Sequence, residues 1–166
     1  MGGSLTMTKC TSIGEYIHVE AGASLVMEDS RVFGSSDYGV ICHSDMKLTR
    51  GTIEGHGAVG VLMMGEHASG ELSDCVVHKN GSNGVQVQTG KVMLRGGTIT
   101  ENKEHGVVAY SGAKITVAKA EEGKLQTVSN SNNTHYWHTH DSSWQITGIP
   151  QEKINPESVS KNISSR

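Results

Sequence analysis

The sequence predicts an all-β fold: a right-handed, single-stranded parallel β-helix, or solenoid, of about 5–7 coils with about 22 residues per coil. Three observations predict it. Segments of the chain align on one another at that period. A fixed offset joins two points inside each unit, so length varies at only one place. Glycine is frequent, at 21 of 166 residues, while Pro (2) and aromatics (4%) are scarce. That is the composition of many tight turns between short strands. A helical bundle would carry more Leu and Ala, and collagen would need Gly at every third position.

Four segments carry the alignment: Met27 to Val32, Leu48 to Ile53, Leu72 to Val77 and Leu94 to Ile99. Each opens on an apolar residue and closes on a β-branched one five positions later. Thirteen residues after each opening stand Val40, Val61, Val85 and Val107, preceded by Gly39, Gly60, Gly84 and Gly106. The Val-to-Val steps are 21, 24 and 22, so the slack falls after the valine strand and before the next unit. Such units cannot bury an apolar face alone; stacking them about 4.8 Å apart closes a continuous core. Leu5 to Gly22 reads as a weaker preceding unit, with Tyr16-Ile17-His18-Val19 as its second strand. Lys114-Ile115-Thr116-Val117 opens a sixth. Asn80 and Asn102 fall at one repeat position, where stacked amides would hydrogen-bond along the axis. A leucine-rich repeat would need more Leu, a propeller blade about twice the period, and a jelly roll would not hold a constant offset.

Residues 1–120 are therefore expected to form the coils, 121–154 the last coil or coils and a C-terminal cap, and 155–166 a mobile tail. Residues 126–128 and 144–149 are expected to add final strands. Trp137 and Trp144, the only tryptophans, would cover the last coil or dock on a lateral face. Met1 to Ser4 run almost directly into the first coil, without room for a capping helix. A partner, or further coils of a longer solenoid, would cover that end.

The net charge of −3 mixes both signs without a basic stripe, which argues against nucleic acid as a partner. No apolar run reaches membrane-spanning length, and residues 1–30 hold no signal-peptide core. Cys10, Cys42 and Cys75 fall at inward repeat positions and read as small reduced core residues, which leans towards an intracellular compartment.

Alternation along the valine strand points Val85, Val87, Val107 and Ala109 inward. One outward row reads His18, Ile41, Leu62, Gln86, Val108; its neighbour reads Glu20, His43, Met64, Gln88, Tyr110. Ile41, Leu62, Met64, Gln86, Gln88, Val108 and Tyr110 thus make a candidate binding face, more apolar than a solvated sheet needs. The chain's own tail, a protein partner or a saccharide would each fit it. The outward rows Glu28, Thr49, Ser73, Arg95 and Arg31, Thr52, Val76, Thr98 read as an ordinary solvated sheet.

Chemistry is sparse. Asp45 and Glu66, taken as equivalent positions of adjacent coils, could share a cation or a proton. Glu20 beside His43 could orient an acid/base imidazole. Exposed carboxylates and a surface ion pair are the plainer readings. The run from His135 to Asp141 spaces His135, His138 and His140 so that two imidazoles of an extended segment could reach one metal. A polar, aromatic docking segment is the plainer reading there. No cofactor is expected.

The pattern Gly-Val-x-Val/Ala-x-x-Gly at Gly106 to Gly112, with the apolar-x-x-Gly-x-Ile segment at Leu94 to Ile99, resembles the right-handed β-helix repeats of the pectin-lyase-like superfamily. More narrowly it is similar to the short repeats shared by carbohydrate-binding proteins, sugar hydrolases and β-helical F-box proteins. The resemblance covers residues 5–120 and implies the fold, because that superfamily holds lyases, hydrolases, epimerases and binders alike. Neither a lyase Asp/Arg cluster nor matched hydrolase carboxylates emerge. The leading expectation is a non-catalytic module for protein association, a subunit or fragment of a larger assembly, with its partner at the N-terminal coil or lateral face. The alternative is a carbohydrate-binding or carbohydrate-active protein using the outward valine-strand face.

Overall fold

The computed structural model describes residues 2–110, 112–118, 127–129, 136–138 and 145–147. Among them every regular element is a strand, and every pairing is parallel. Coil 1 holds β1 (Ser4–Thr8), β2 (Thr11–Ile13) and β3 (Ile17–Val19). Coil 2 holds β4 (Ser24–Glu28), β5 (Arg31–Phe33) and β6 (Val40–Cys42). Coil 3 holds β7 (Asp45–Thr49), β8 (Thr52–Glu54) and β9 (Val61–Met63). In coils 4 and 5 the first two strands run together, as β10 (Ser69–His78) with β11 (Val85–Val87), and β12 (Lys91–Thr100) with β13 (Val107–Ala109). β14 (Lys114–Val117), β15 (Thr127–Ser129), β16 (Tyr136–His138) and β17 (Gln145–Thr147) continue the stack.

Two sheets result. The first and second strands of every coil merge into an eleven-stranded sheet through β10 and β12, and the third strands form a six-stranded one. The register follows the repeat: Val40, Val61, Val85 and Val107 are direct partners. So are Met27, Leu48, Leu72 and Leu94. Side chains of alternate residues enter one interior, where these residues are essentially out of water. Each such burial contributes roughly 1.5–3 kcal/mol. Gly70 leaves a gap in its inward row, and the methyl ends of Met46 and Met63 fill it.

The six-residue segments at Met27 and Leu48 are each split between two strands, whereas those at Leu72 and Leu94 lie within the continuous β10 and β12. Coils 1–5 all turn here at a residue with left-handed backbone: Lys9, Asp29, Arg50 and Asp74, at φ of 49–54°, and Gly96 in coil 5, at 62°. The N–H groups of Lys9, Asp29 and Arg50 stay in the ladder, donating to the carbonyls of Glu28, Thr49 and Ser73 in the next coil. From Lys9 to Asp74 the row alternates in charge, and Arg50 bridges Asp29 (2.7 Å) and Glu28. The Arg50 guanidinium holds the Asp29 carboxyl below its ordinary pKa.

A second row explains the Gly-Val pairs. Ser35, His56, Asn80 and Asn102 precede Val40, Val61, Val85 and Val107 by five residues each, and they stack inside the corner before the third strand. The N–H of Ser35 donates to His56 Nδ1 (3.3 Å), that of His56 to Asn80 Oδ1 (3.2 Å), and that of Asn80 to Asn102 Oδ1 (3.2 Å). The amide of Asn80 also donates to Asn102 Oδ1 at 2.9 Å. The glycines make room for this ladder. A Cβ on Gly39 would lie 2.7 Å from the His56 ring, on Gly60 2.7 Å from Asn80 Nδ2, and on Gly84 2.6 Å from Asn102 Nδ2.

Two cysteines are buried as expected, Cys42 and Cys75, but Cys10 is exposed. Cys10 shares the row of Ser30 and Cys75, yet coil 1 is stacked on one side only among the described residues. The expected final strands appear as β15 and β17, and Ile146 of β17 joins the core over Ile115. β16 was not expected as a strand; its backbone pairs Trp137 with Val108 and His138 with Ala109. Trp144, His135, His140 and the tail 155–166 lie outside the described residues. No described helix is long and apolar enough to cross a membrane.

Candidate functional site

Three places in this frame could meet another molecule. The first is the outer face of the six-stranded sheet. The two outward rows hold their register, His18 with Ile41, Leu62, Gln86 and Val108. Their exposure is not that of an open patch. Leu62 is 3% and Val108 0% exposed, and Gln86 is buried and accepts from Asn83 Nδ2 at 2.8 Å. Ile41, Met64, Gln88 and Tyr110 are half-buried. With Val59, Leu62 and Val108 are the buried apolar residues that do not belong to the central core. The central residues of this face, Leu62, Gln86 and Val108, are therefore buried rather than open to solvent. The expectation that the tail shields it lies outside the described residues.

At the N-terminal end of the same face the side chains are open. The His18 and His43 rings stand 5.2 Å apart, and Tyr16 lies 6.2 Å from His18. Glu20 was expected beside His43, but its carboxylate lies 3.5 Å from His18 Nδ1. Residues two apart on a strand share a face, which outcompetes the neighbouring coil here.

The second place is a corner groove of about 250 Å³ between the third strand of one coil and the first strand of the next. Glu66, His67, Ala68, Gly90, Lys91, Gly112 and Lys114 line it. The long step of the repeat makes it: β7 starts five residues after Val40, whereas β10 starts eight after Val61. The same insertion overturns the pairing of Asp45 with Glu66. Asp45 pairs with Ser69, and Glu66 stands in the bulging turn before it. The three extra residues of the long step thus put Ser69, not Glu66, in register with Asp45. Lys91 and Lys114 are direct partners on adjacent coils, both exposed, and neither side chain makes an ion pair among the described residues. Elsewhere opposite charges meet: Arg31 and His78 on Glu54, Arg50 on Glu28 and Asp29, Arg95 near Glu71, Lys79 near Glu101.

The third place is the outer side of coil 1. Among the described residues β1, β2 and β3 each pair with one neighbour. Leu5 occupies an inward row with Leu25, Met46 and Val92, yet it is 47% exposed where Leu25 is 0%. Among the described residues the exposed large apolar ones, Leu5, Ile13, Tyr16 and Val26, all lie on the first two coils.

Among the described residues no three His, Cys, Asp or Glu side chains gather as a metal ion needs. Of the His135, His138 and His140 set, only the backbone of His138 is described.

Parallel coils of about 22 residues, a closed apolar interior and an internal polar ladder define the class: a right-handed β-helix. A family model described as right handed beta helix region matches residues 2–136, and the chain belongs to that family. No curated protein and no solved structure matches the chain.

Proposed function

We propose that the chain is a non-catalytic β-helix module for protein association, and that its partner docks on the open side of coil 1. The exposure of Leu5 at a position that is sealed in every later coil carries this reading. A half-open apolar row beside the one-sided strand β1 suits an added strand: backbone ladder bonds give affinity, and Leu5 and Ile13 give side-chain contacts. The dispersal of Glu20, His43, Asp45 and Glu66 supports a role without chemistry, since acid/base work needs such groups within hydrogen-bond reach.

Sedimentation of the purified chain with native extract, against Leu5→Glu/Ile13→Lys, tests it. Both residues are exposed, so the variant should fold. The native chain should sediment with a retained protein that the variant loses. Sedimentation of both as the same lone monomer would overturn the reading.

The corner groove favours a second reading, an acidic saccharide held with its anionic group between Lys91 and Lys114. Calorimetry with an oligouronate at low salt should give heat that Lys91→Gln/Lys114→Gln removes. Absence of heat from the native chain would remove this reading.

A further inference from the structure

We infer that His56 makes the joint between coils 2 and 3 sensitive to acid, so that mild acidification loosens the first two coils while the later ones hold. This does not rest on the association reading, although it concerns the coils that carry the open face.

The inference starts from the polar ladder. His56 is 2% exposed and sits where Asn80 and Asn102 sit in the following coils. Its ring reproduces an asparagine amide atom for atom. Nδ1 accepts from the Ser35 N–H, as Asn102 Oδ1 accepts from the Asn80 N–H. Nε2 lies 3.1 Å from the Val32 carbonyl, as Asn102 Nδ2 lies 3.3 Å from the Val77 carbonyl. Because Nδ1 must accept, the ring proton is on Nε2, and the ring is neutral. An asparagine keeps this pattern at every pH. A histidine cannot: a proton on Nδ1 would face the Ser35 N–H, donor against donor, and put an unpaired cation where water has no access.

Charges around the ring do not relieve this. The charged or titratable residues that flank the ladder positions are Arg31 and Asp37 on coil 2, Glu54 on coil 3, and His78 and Lys79 on coil 4, and Glu54 is the one that acts on the ring. Glu54 favours the cation, but it already meets Arg31 and His78. Burial is the larger effect and lowers the affinity of His56 for a proton below that of an ordinary histidine. The unfolded segment therefore binds the proton more readily than the folded one. The contribution of His56 is complete above about pH 6.5 and declines as pH falls below it. The effect is local because ladder and strand bonds join nearest neighbours only.

Hydrogen exchange by mass spectrometry on the whole chain, at about pH 7.5 and about pH 5 and corrected for intrinsic rates, tests it. Fragments spanning residues 24–42 should lose protection severalfold on acidification, and those spanning 69–87 should not. His56→Asn, the ladder residue of the next two coils, should abolish that difference. Every other histidine is the same in both proteins, so its contribution cancels in the comparison. Equal acid response in both proteins, or a response spread evenly over the coils, would overturn the inference. Should His56→Asn not fold, the imidazole of the native chain decides by nitrogen NMR. Titration well below pH 6.5, moving with the Ser35 amide, supports the joint. Titration at the ordinary histidine pH, with the Ser35 amide unmoved, refutes it.

Discussion

At the residue scale, the glycines before the third strands act by absence of volume. Gly60 has ordinary backbone, yet a Cβ there would lie 2.7 Å from the Gly84 carbonyl oxygen, 2.7 Å from Asn80 Nδ2 and 2.9 Å from Val77 Cγ1. A backbone carbonyl on one side and a bonded ladder amide on the other leave nothing to yield. Gly60→Ala should therefore cost roughly 2–4 kcal/mol in chemical denaturation, as overpacked cores do. Gly3→Ala, where a Cβ meets nothing within 4 Å, should change stability by less than about 0.5 kcal/mol. An equal effect at the two positions would mean that conformational freedom, not space, selects glycine at Gly60. The cysteines give a chemical readout of the same packing. Burial pushes the Cys75 thiol up to about 11 and raises that of Cys42, whereas Cys10 is exposed. Since the thiolate is the nucleophile, alkylation of the folded chain near pH 8 should add one group, at Cys10. In denaturant all three cysteines should react, and intact mass reads both.

At the element scale, coils 1–4 turn within the first sheet through a left-handed residue that is charged, where coil 5 has Gly96. Such backbone costs about 1–2 kcal/mol at a non-glycine residue, and the ladder bonds of Asp29 and Arg50 to the next coil offset it. The charge alternation along Lys9, Asp29, Arg50 and Asp74 adds little in solution, because the first three side chains are exposed and screened by salt. Arg50→Gln should thus lower the unfolding midpoint slightly at low ionic strength and not at all in molar salt. Leu48→Ala, on the inner face of β7, should instead cost about 3 kcal/mol at any salt, by cavity formation. These turns also show where the sequence was silent. The 13-residue offset was legible because a solenoid tolerates no insertion inside its registered strands. The break within Met27 to Val32 was not, since Asp29, Arg50 and Asp74 carry no glycine to announce a turn. His56 is not legible as a ladder member from residue type, because the ladder needs only an acceptor and a donor at set positions, and an imidazole supplies both. The burial of Leu62 and Val108 was illegible for another reason: alternation fixes which way a side chain points, not what lies over it. Asp45 and Glu66 were misaligned by the one insertion whose place the repeat had already located.

At the scale of the whole molecule, stability in a stack of coils is a sum of coil and neighbour terms. A coil held on both sides has two neighbour terms, and coil 1 has one among the described residues. The exposure of Leu5 shows how little of its interior is sealed, whereas coils 3 and 4 keep Leu48, Val61, Leu72 and Val85 at 0–2%. Protection from hydrogen exchange should accordingly rise along the chain at neutral pH. Fragments covering residues 4–19 should exchange fastest, those covering 24–42 more slowly, and those covering 45–63 and 69–87 slowest. The gradient also discriminates between readings of the open face. A protein partner that adds a strand to β1 supplies the missing neighbour term, so it should slow exchange in residues 4–19 most and leave coil 4 unchanged. An acidic saccharide in the corner groove should instead act near Lys91 and Lys114 and leave residues 4–19 as they were. If residues 4–19 of the purified chain already exchange as slowly as residues 45–63, coil 1 is sealed from within, and no partner is needed to explain its apolar side.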